Sequence, residues 1–156
     1  MRLTMLALVA MLAACAPDDA APPASPAPVA GVPSGALVTS EAWVRQVPPA
    51  ARMTAGYLKV RNTGTEPVVL VGAASPLFNA VEIHGTVTVD GMARMRQQES
   101  VTIPPGETVS FEPGGLHLML MQAVDQIPAQ GQVPLSLLLA DGESIEVVAP
   151  IGQPDG

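Results

Sequence analysis

Short stretches in which apolar and other residues alternate recur along the chain from residue 36 onward. The clearest is GGLHLMLMQ at 114–122, where three leucines alternate with His117, Met119 and Met121. A period of two is typical of a β-strand with two different faces. The leucines predict a face that packs into a core. The other face carries an imidazole and two thioethers at positions where Ser, Thr or Lys would be ordinary.

The same reasoning predicts that the whole domain is built from β-strands, because no segment has the period of a long amphipathic helix. Turn sequences such as NTGTEP, PPGE and ADGE separate the β-prone runs, and Asp90-Gly91 is a strong two-residue hairpin signal. We therefore predict an all-β sandwich of about 115 residues with seven to nine strands. The candidate strands are 36–46, 55–62, 67–73, 79–89, 93–97, 100–103, 107–111, 116–122, 133–140 and 144–149.

The first 35 residues do not belong to this domain. Residues 1–14 have one basic residue followed by an apolar run that is too short to span a bilayer, which is typical of a secretory signal. The run ends in LAAC, a sequence that resembles a bacterial lipobox, and it predicts a lipidated Cys15. The alternative is an ordinary signal cleaved at a nearby AxA site, with Cys15 incidental. Ala16, rather than Asp, follows the cysteine and favours the outer membrane.

The segment 15–35 is rich in Pro and Ala and has almost no bulky apolar residues. Such a composition cannot bury enough surface to offset its ordering entropy, so it predicts a disordered linker. The domain itself is expected at 36–150, followed by a flexible tail at 151–156. This organisation places one folded domain on a tether in the periplasm.

Composition excludes several classes of function. Without Arg2 the chain has six Lys and Arg against fourteen Asp and Glu, a net charge of −8, which argues against nucleic acid or an anionic membrane surface as a partner. Cys15 is the one cysteine, so the domain has no disulfide and no thiolate ligand, which argues against a blue-copper electron-transfer site. The two histidines have no nucleophile arranged beside them, which argues against an enzyme.

Histidine and methionine carry the candidate chemistry. The chain has two histidines, His84 and His117, and a two-residue turn at Asp90-Gly91 would place Thr86 opposite Met95 and Val89 opposite Met92. His84 and Met95 are then diagonal neighbours, and His117 and Met119 share a face because they are two residues apart. Strand parity leaves open whether the two pairs meet. The alternatives are methionines that fill gaps in the core and histidines on a solvated face.

If the pairs meet, two imidazoles and two thioethers form a site with no thiolate and, we expect, no carboxylate. Soft neutral ligands of this kind favour Cu(I) over Zn²⁺, Mg²⁺ or Ca²⁺. The ligands carry no negative charge to balance a divalent ion, which also favours a monovalent one.

The spacing of these residues, H-x10-M-x21-H-x-M, resembles the signature of the periplasmic copper chaperones called PCu(A)C. The surrounding sequences AGYLKVRNTGTEP, VEIHG and PGGLHLMLM are also similar to that family. The resemblance covers about residues 36–150. It implies a cupredoxin-like Greek-key β-sandwich that binds one Cu(I) through His84, Met95, His117 and Met119. Met92 and Met121 match no obligatory ligand, and we interpret them as auxiliary soft groups.

The resemblance further implies a monomeric carrier rather than an enzyme. It would deliver copper to the CuA or CuB centre of cytochrome c oxidase, through subunit II or alongside Sco-type thiol proteins. The alternative is a periplasmic lipoprotein that buffers copper or confers resistance without a dedicated acceptor. Some relatives have a His- and Met-rich C-terminal tail, whereas this chain ends in VVAPIGQPDG, so a second, oxidised copper site at the C-terminus is not expected.

Overall fold

The computed structural model describes residues 37–89 and 91–152, and this part of the chain consists of β-strands joined by turns and loops without a helix. The strands are β1 (Leu37–Val44), β2 (Met53–Asn62), β3 (Val68–Ala74), β4 (Phe78–Val89), β5 (Met92–Gln97), β6 (Val101–Ile103), β7 (Thr108–Phe111), β8 (Leu116–Ala123), β9 (Gln132–Leu139) and β10 (Ser144–Pro150). The predicted all-β fold class is confirmed. Each of the ten candidate segments overlaps one strand, and the described residues form ten strands, one more than the upper end of the expected seven to nine.

The strands form two sheets. The first has six strands in the order β1-β2-β7-β8-β4-β5, and the second has four in the order β10-β9-β3-β6. Strands that follow each other in sequence often lie in different sheets, as β2 and β3 do, so the chain crosses repeatedly between the two layers. Within the first sheet, β8 pairs on one side with the first half of β2 and on the other with β4. The central position of β8 brings distant parts of the chain to the His/Met segment.

The core lies between the two sheets and is made by alternating residues. On β8, Leu118 and Leu120 are fully buried, as the alternation of leucines predicted. The second sheet contributes four buried residues of β9 to this core, Val133, Leu135, Leu137 and Leu139. Because Leu118 and Leu120 of β8 face this core, the other parity of β8 lies on the opposite surface of the six-stranded sheet, which we call the outer face.

The first strand of the domain begins at Leu37 and the last ends at Pro150. Ile151 and Gly152, the first residues of the expected tail, are hydrogen-bonded to Gly131 and Val44. The expected signal peptide, the lipidated Cys15, the linker at 15–35 and residues 153–156 lie outside the described residues. Within the described residues, no helix has the length and hydrophobicity needed to cross a membrane.

Candidate metal centre

The β4–β5 hairpin has the register that the Asp90-Gly91 turn predicted. Thr86 pairs with Met95, His84 with Gln97, and Val89 with Met92. Gly91 has a φ of 76°, in the left-handed region that a tight hairpin requires and that glycine adopts without strain. Asp90 itself lies outside the described residues. The hairpin places His84 and Met95 on the same face as diagonal neighbours.

The pairing of β4 with β8 joins the two predicted halves of the site. His84 lies directly opposite His117 in the antiparallel register, and the centroids of their rings are 5.9 Å apart. One step along the same face, Glu82 lies opposite Met119. The structure therefore brings His84, His117 and Met119 together on the outer face, with Met95 on the adjoining strand. Sequence parity alone left this meeting open.

Each of the two imidazole rings is held by a contact between one of its nitrogens and an oxygen atom. Nδ1 of His117 lies 3.1 Å from the carbonyl oxygen of Gly115, and Nε2 of His84 lies 2.9 Å from Oε2 of Glu82. Both oxygens accept hydrogen bonds, so these nitrogens carry the proton and donate in the neutral rings. Nε2 of His117 and Nδ1 of His84 are then the lone-pair nitrogens.

Those two lone-pair nitrogens are buried and have no hydrogen-bond partner in the structure. Buried polar atoms are nearly always paired, so two unpaired nitrogens on neighbouring rings have the character of a ligand site. Among residues 37–89 and 91–152, no three His, Cys, Asp or Glu side chains are grouped to hold a metal ion. A metal bound by these two nitrogens would draw its other neighbours from the thioethers of the same face.

Exposure rises across the site from β8 to β5. His117 is 4 % exposed and Met119 is half-buried, whereas Met95 is 62 % exposed at the edge strand. A bound ion would therefore have a rigid, buried side at the histidines and an accessible side at Met95. Such an arrangement allows another protein to approach the ion without opening the core.

Glu82 is the residue that the sequence interpretation missed. No carboxylate was expected among the metal ligands, and the carboxylate of Glu82, whose side chain is 34 % exposed, lies 2.9 Å from Nε2 of His84. The signal was present in the sequence, because Glu82 is two residues from His84 and must share its face in a strand. Carboxylates were considered from the sequence only as metal ligands, and Glu82 instead contacts a candidate ligand, His84.

The two auxiliary methionines lie in different places. Met92 is opposite Val89 at the tip of the hairpin and alternates with Met95, so it lies on the other face of β5 and is 56 % exposed. Met121 is on the outer face, two residues beyond Met119, and lies directly opposite Met53 of β2. Met121 thus belongs to the same surface as the expected ligands, and Met92 does not.

Comparison with known proteins shows the family to which this chain is related. The family model described as "Putative lipoprotein LpqE-like" matches residues 37–151, which is the whole described domain. The "Putative lipoprotein Lxx21020" of Leifsonia xyli subsp. xyli is 32 % identical over 149 residues, covering 95 % of this chain and 86 % of that protein.

Solved structures with the same fold include copper-binding domains. The copper-bound PCuAC domain from PmoF2 superposes with a TM-score of 0.65 at 20 % identity, over 80 % of this chain and 98 % of that one. The solution structure of CuI-DR1885 from Deinococcus radiodurans has a TM-score of 0.61 and is 32 % identical, over 80 % of this chain and 81 % of that one. The resemblance to the PCu(A)C proteins and their cupredoxin-like fold is confirmed. By its sequence and its fold, this chain belongs to the LpqE-like family of lipoproteins.

Proposed function

We propose that this protein is a Cu(I) carrier that binds one ion through His84, Met95, His117 and Met119. The observation that carries the proposal is the pair of buried, unpaired nitrogens on two neighbouring imidazole rings whose centroids are 5.9 Å apart. Two thioethers on the same face complete a soft donor set that suits Cu(I) better than the harder divalent ions. The protein supplies binding and release of its cargo, and no reaction step is required of it.

The arrangement of ligands favours a carrier over a permanent metal site. None of the four ligands is anionic, and the exposed position of Met95 allows a partner to replace that ligand first. A partner that offers thiolates would then bind Cu(I) more strongly than neutral thioethers do. Release can therefore proceed by stepwise exchange of ligands at the accessible side.

The solved structures support copper as the cargo. DR1885 is described as bound to CuI and the PCuAC domain of PmoF2 as copper-bound, and both have the fold of this chain. The identity of 32 % with DR1885 extends over most of both chains. The four proposed ligands of this chain have the H-x10-M-x21-H-x-M spacing that resembles the PCu(A)C signature.

The binding proposal is tested by Cu(I) titration against a chromogenic chelator without oxygen. His117→Ala and Met119→Leu should each abolish stoichiometric Cu(I) binding, because each removes one of four ligands. Met92→Leu is the matched control, since Met92 lies on the other face of β5, and it should bind Cu(I) as the native protein does. Unchanged affinity in His117→Ala, with a native circular dichroism spectrum, would refute the site.

The acceptor that we propose is the assembly machinery of cytochrome c oxidase. Cu(I) would pass to the cysteine-rich CuA site of subunit II, to the CuB centre, or to Sco-type thiol proteins. The alternative is a lipoprotein that buffers copper. The two are separated by transfer of Cu(I) from the loaded protein to apo subunit II fragments, and by oxidase activity of a deletion strain under copper limitation. A buffer would not transfer Cu(I) to the fragments, and its deletion would leave the oxidase activity unchanged.

The family description supports a lipid anchor, and we propose that Cys15 carries it at the periplasmic side of the outer membrane. Cys15→Ser should move the protein from the membrane fraction to the soluble fraction of cells, because the lipid is attached through that sulfur. Cell fractionation with immunodetection measures the change. If the signal is instead an ordinary one cleaved elsewhere, the native protein and Cys15→Ser should both be found in the soluble fraction. That result would contradict the lipid anchor.

A further inference from the structure

A second pair of methionines lies beside the proposed Cu(I) site. Met53 of β2 and Met121 of β8 are direct partners in the antiparallel register, so their Cβ atoms are about 4.5–5.5 Å apart. Met121 follows Met119 by two residues on the same strand and therefore projects from the same face, roughly 7 Å away. Met119, Met121 and Met53 thus occupy neighbouring positions on the outer face, and Met119 is two residues from His117.

The exposure of this pair is not that of ordinary packing residues. A methionine that fills a core gap is buried, but Met53 is 55 % exposed and Met121 is half-buried. The core-facing positions of the same strands are taken by residues such as Leu118 and Leu120. Leaving two apolar side chains at an outer surface forgoes their burial, so packing alone does not account for them.

The cross-strand neighbours of Met121 on β4 and of Met119 on β2 are small. Ala80 pairs with Met121 from the β4 side, and Ala55 pairs with Met119 from the β2 side. Methyl groups at these two positions cannot cover the flexible thioethers as long side chains would. The sulfur atoms are therefore free to adjust to a ligand that approaches from solvent.

We propose that Met53 and Met121 form a second, sulfur-only binding site for Cu(I), which exchanges the ion with the His/Met site through Met119. This inference rests on the proposed function. Two neutral thioethers select soft monovalent ions and bind them more weakly than the four-ligand site does. Cu(I) keeps its charge throughout, and only its ligands change: sulfur atoms of the pair are replaced by Met119 and then by the two imidazoles.

The experiment follows the methionine methyl groups by NMR in the mature chain, residues 15–156, made with ¹³C-methyl methionine. Cys15→Ser is included because a free thiol would compete for the metal. Cu(I) is titrated without oxygen, and Ag(I) is titrated in parallel as a soft monovalent ion that does not oxidise in air. Single Met→Leu variants assign the five methyl signals of this chain.

The first equivalent should shift the signals of Met95 and Met119, and excess metal should then shift those of Met53 and Met121 together. Met53→Leu should remove the response of Met121 to excess metal while the first equivalent binds as before. The same variant should load Cu(I) from a chelate several-fold more slowly. The signal of Met92 is the internal control, because this residue is on the other face of β5.

The outcomes separate the two proposals. If Met95 and Met119 respond but Met53 and Met121 shift no more than Met92 does, the second site is overturned and the carrier site stands. If no methionine responds to the first equivalent, the proposed function fails and this inference fails with it. Independent responses of Met53 and Met121, with Met121 unchanged by Met53→Leu, would also overturn a shared site.

Discussion

Glu82 and the carbonyl group of Gly115 do the same work for the two imidazole rings. Each accepts a hydrogen bond from one ring nitrogen, Nε2 of His84 at 2.9 Å for Glu82 and Nδ1 of His117 at 3.1 Å for Gly115. Such bonds fix the tautomer and the orientation of a ligand histidine and raise its basicity. Only Glu82 can be changed without altering the backbone, and it therefore offers the direct test of this role.

Replacing Glu82 by alanine should weaken Cu(I) binding by about 10- to 100-fold, because His84 would lose the bond that orients its ring. Glu82→Gln should lose less, since an amide oxygen still accepts the hydrogen bond from Nε2. Competition with a Cu(I) chelator measures both affinities, and ¹⁵N chemical shifts of the imidazole report the tautomer of His84.

The matched control is Glu146→Ala, which removes an equal charge from an exposed position on β10 of the other sheet. It should bind Cu(I) as the native protein does. If Glu146→Ala and Glu82→Ala weaken binding equally, the effect of Glu82 is one of overall charge, and its role in orienting His84 is refuted.

At the scale of strands and turns, local sequence accounts for most of the site. The alternation on β8 predicted which residues face the core, and the Asp90-Gly91 turn predicted the register that pairs Thr86 with Met95. The pairing of His84 with His117 could not be predicted in this way, because it joins strands that are more than thirty residues apart in sequence. Such pairings depend on how the whole sandwich closes.

The hairpin turn gives a prediction at this scale. Gly91 has a φ of 76° with open space around it, so Gly91→Ala introduces backbone strain of roughly 1–2 kcal/mol without a steric clash. Because the turn sets the position of Met95 relative to His84, we expect Cu(I) affinity to fall together with stability. Chelator competition and urea denaturation measure the two quantities.

Gly142 provides the matched comparison, since it has a φ of 88° in the β9–β10 hairpin of the other sheet and also has open space around it. Gly142→Ala should destabilise the fold by a similar amount and leave Cu(I) affinity unchanged. Equal losses of affinity in the two variants would mean that the β4–β5 turn has no special role in placing Met95.

At the scale of the whole molecule, the two sheets are joined by a buried side-chain hydrogen bond as well as by the leucine core. Asn62 ends β2 in the six-stranded sheet, and its side chain is completely buried. Its Nδ2 donates to the carbonyl oxygen of Ile103, in the four-stranded sheet, at 2.9 Å and to that of Glu66 at 2.7 Å. Its Oδ1 accepts from the backbone N–H of Gly64 at 2.9 Å. The sequence motif NTGTEP predicted a turn at this point but not the bond to the second sheet.

Asn62→Ala should therefore destabilise the domain by about 2–3 kcal/mol, because it leaves buried carbonyl groups without donors and opens a small cavity. Asn62→Asp keeps the size of the side chain but replaces the donor with a second acceptor, and it should destabilise the domain at least as much. Urea denaturation measures the loss, and Asn79→Ala, at an exposed position of β4, should change stability by less than about 0.5 kcal/mol.

Asn62 lies at the end of β2 that pairs with β7, away from the half that pairs with β8. The folded Asn62→Ala protein should therefore still bind one Cu(I) with native affinity. A loss of Cu(I) affinity in the folded variant would mean that the contact between the sheets, and not the outer face alone, positions the metal ligands.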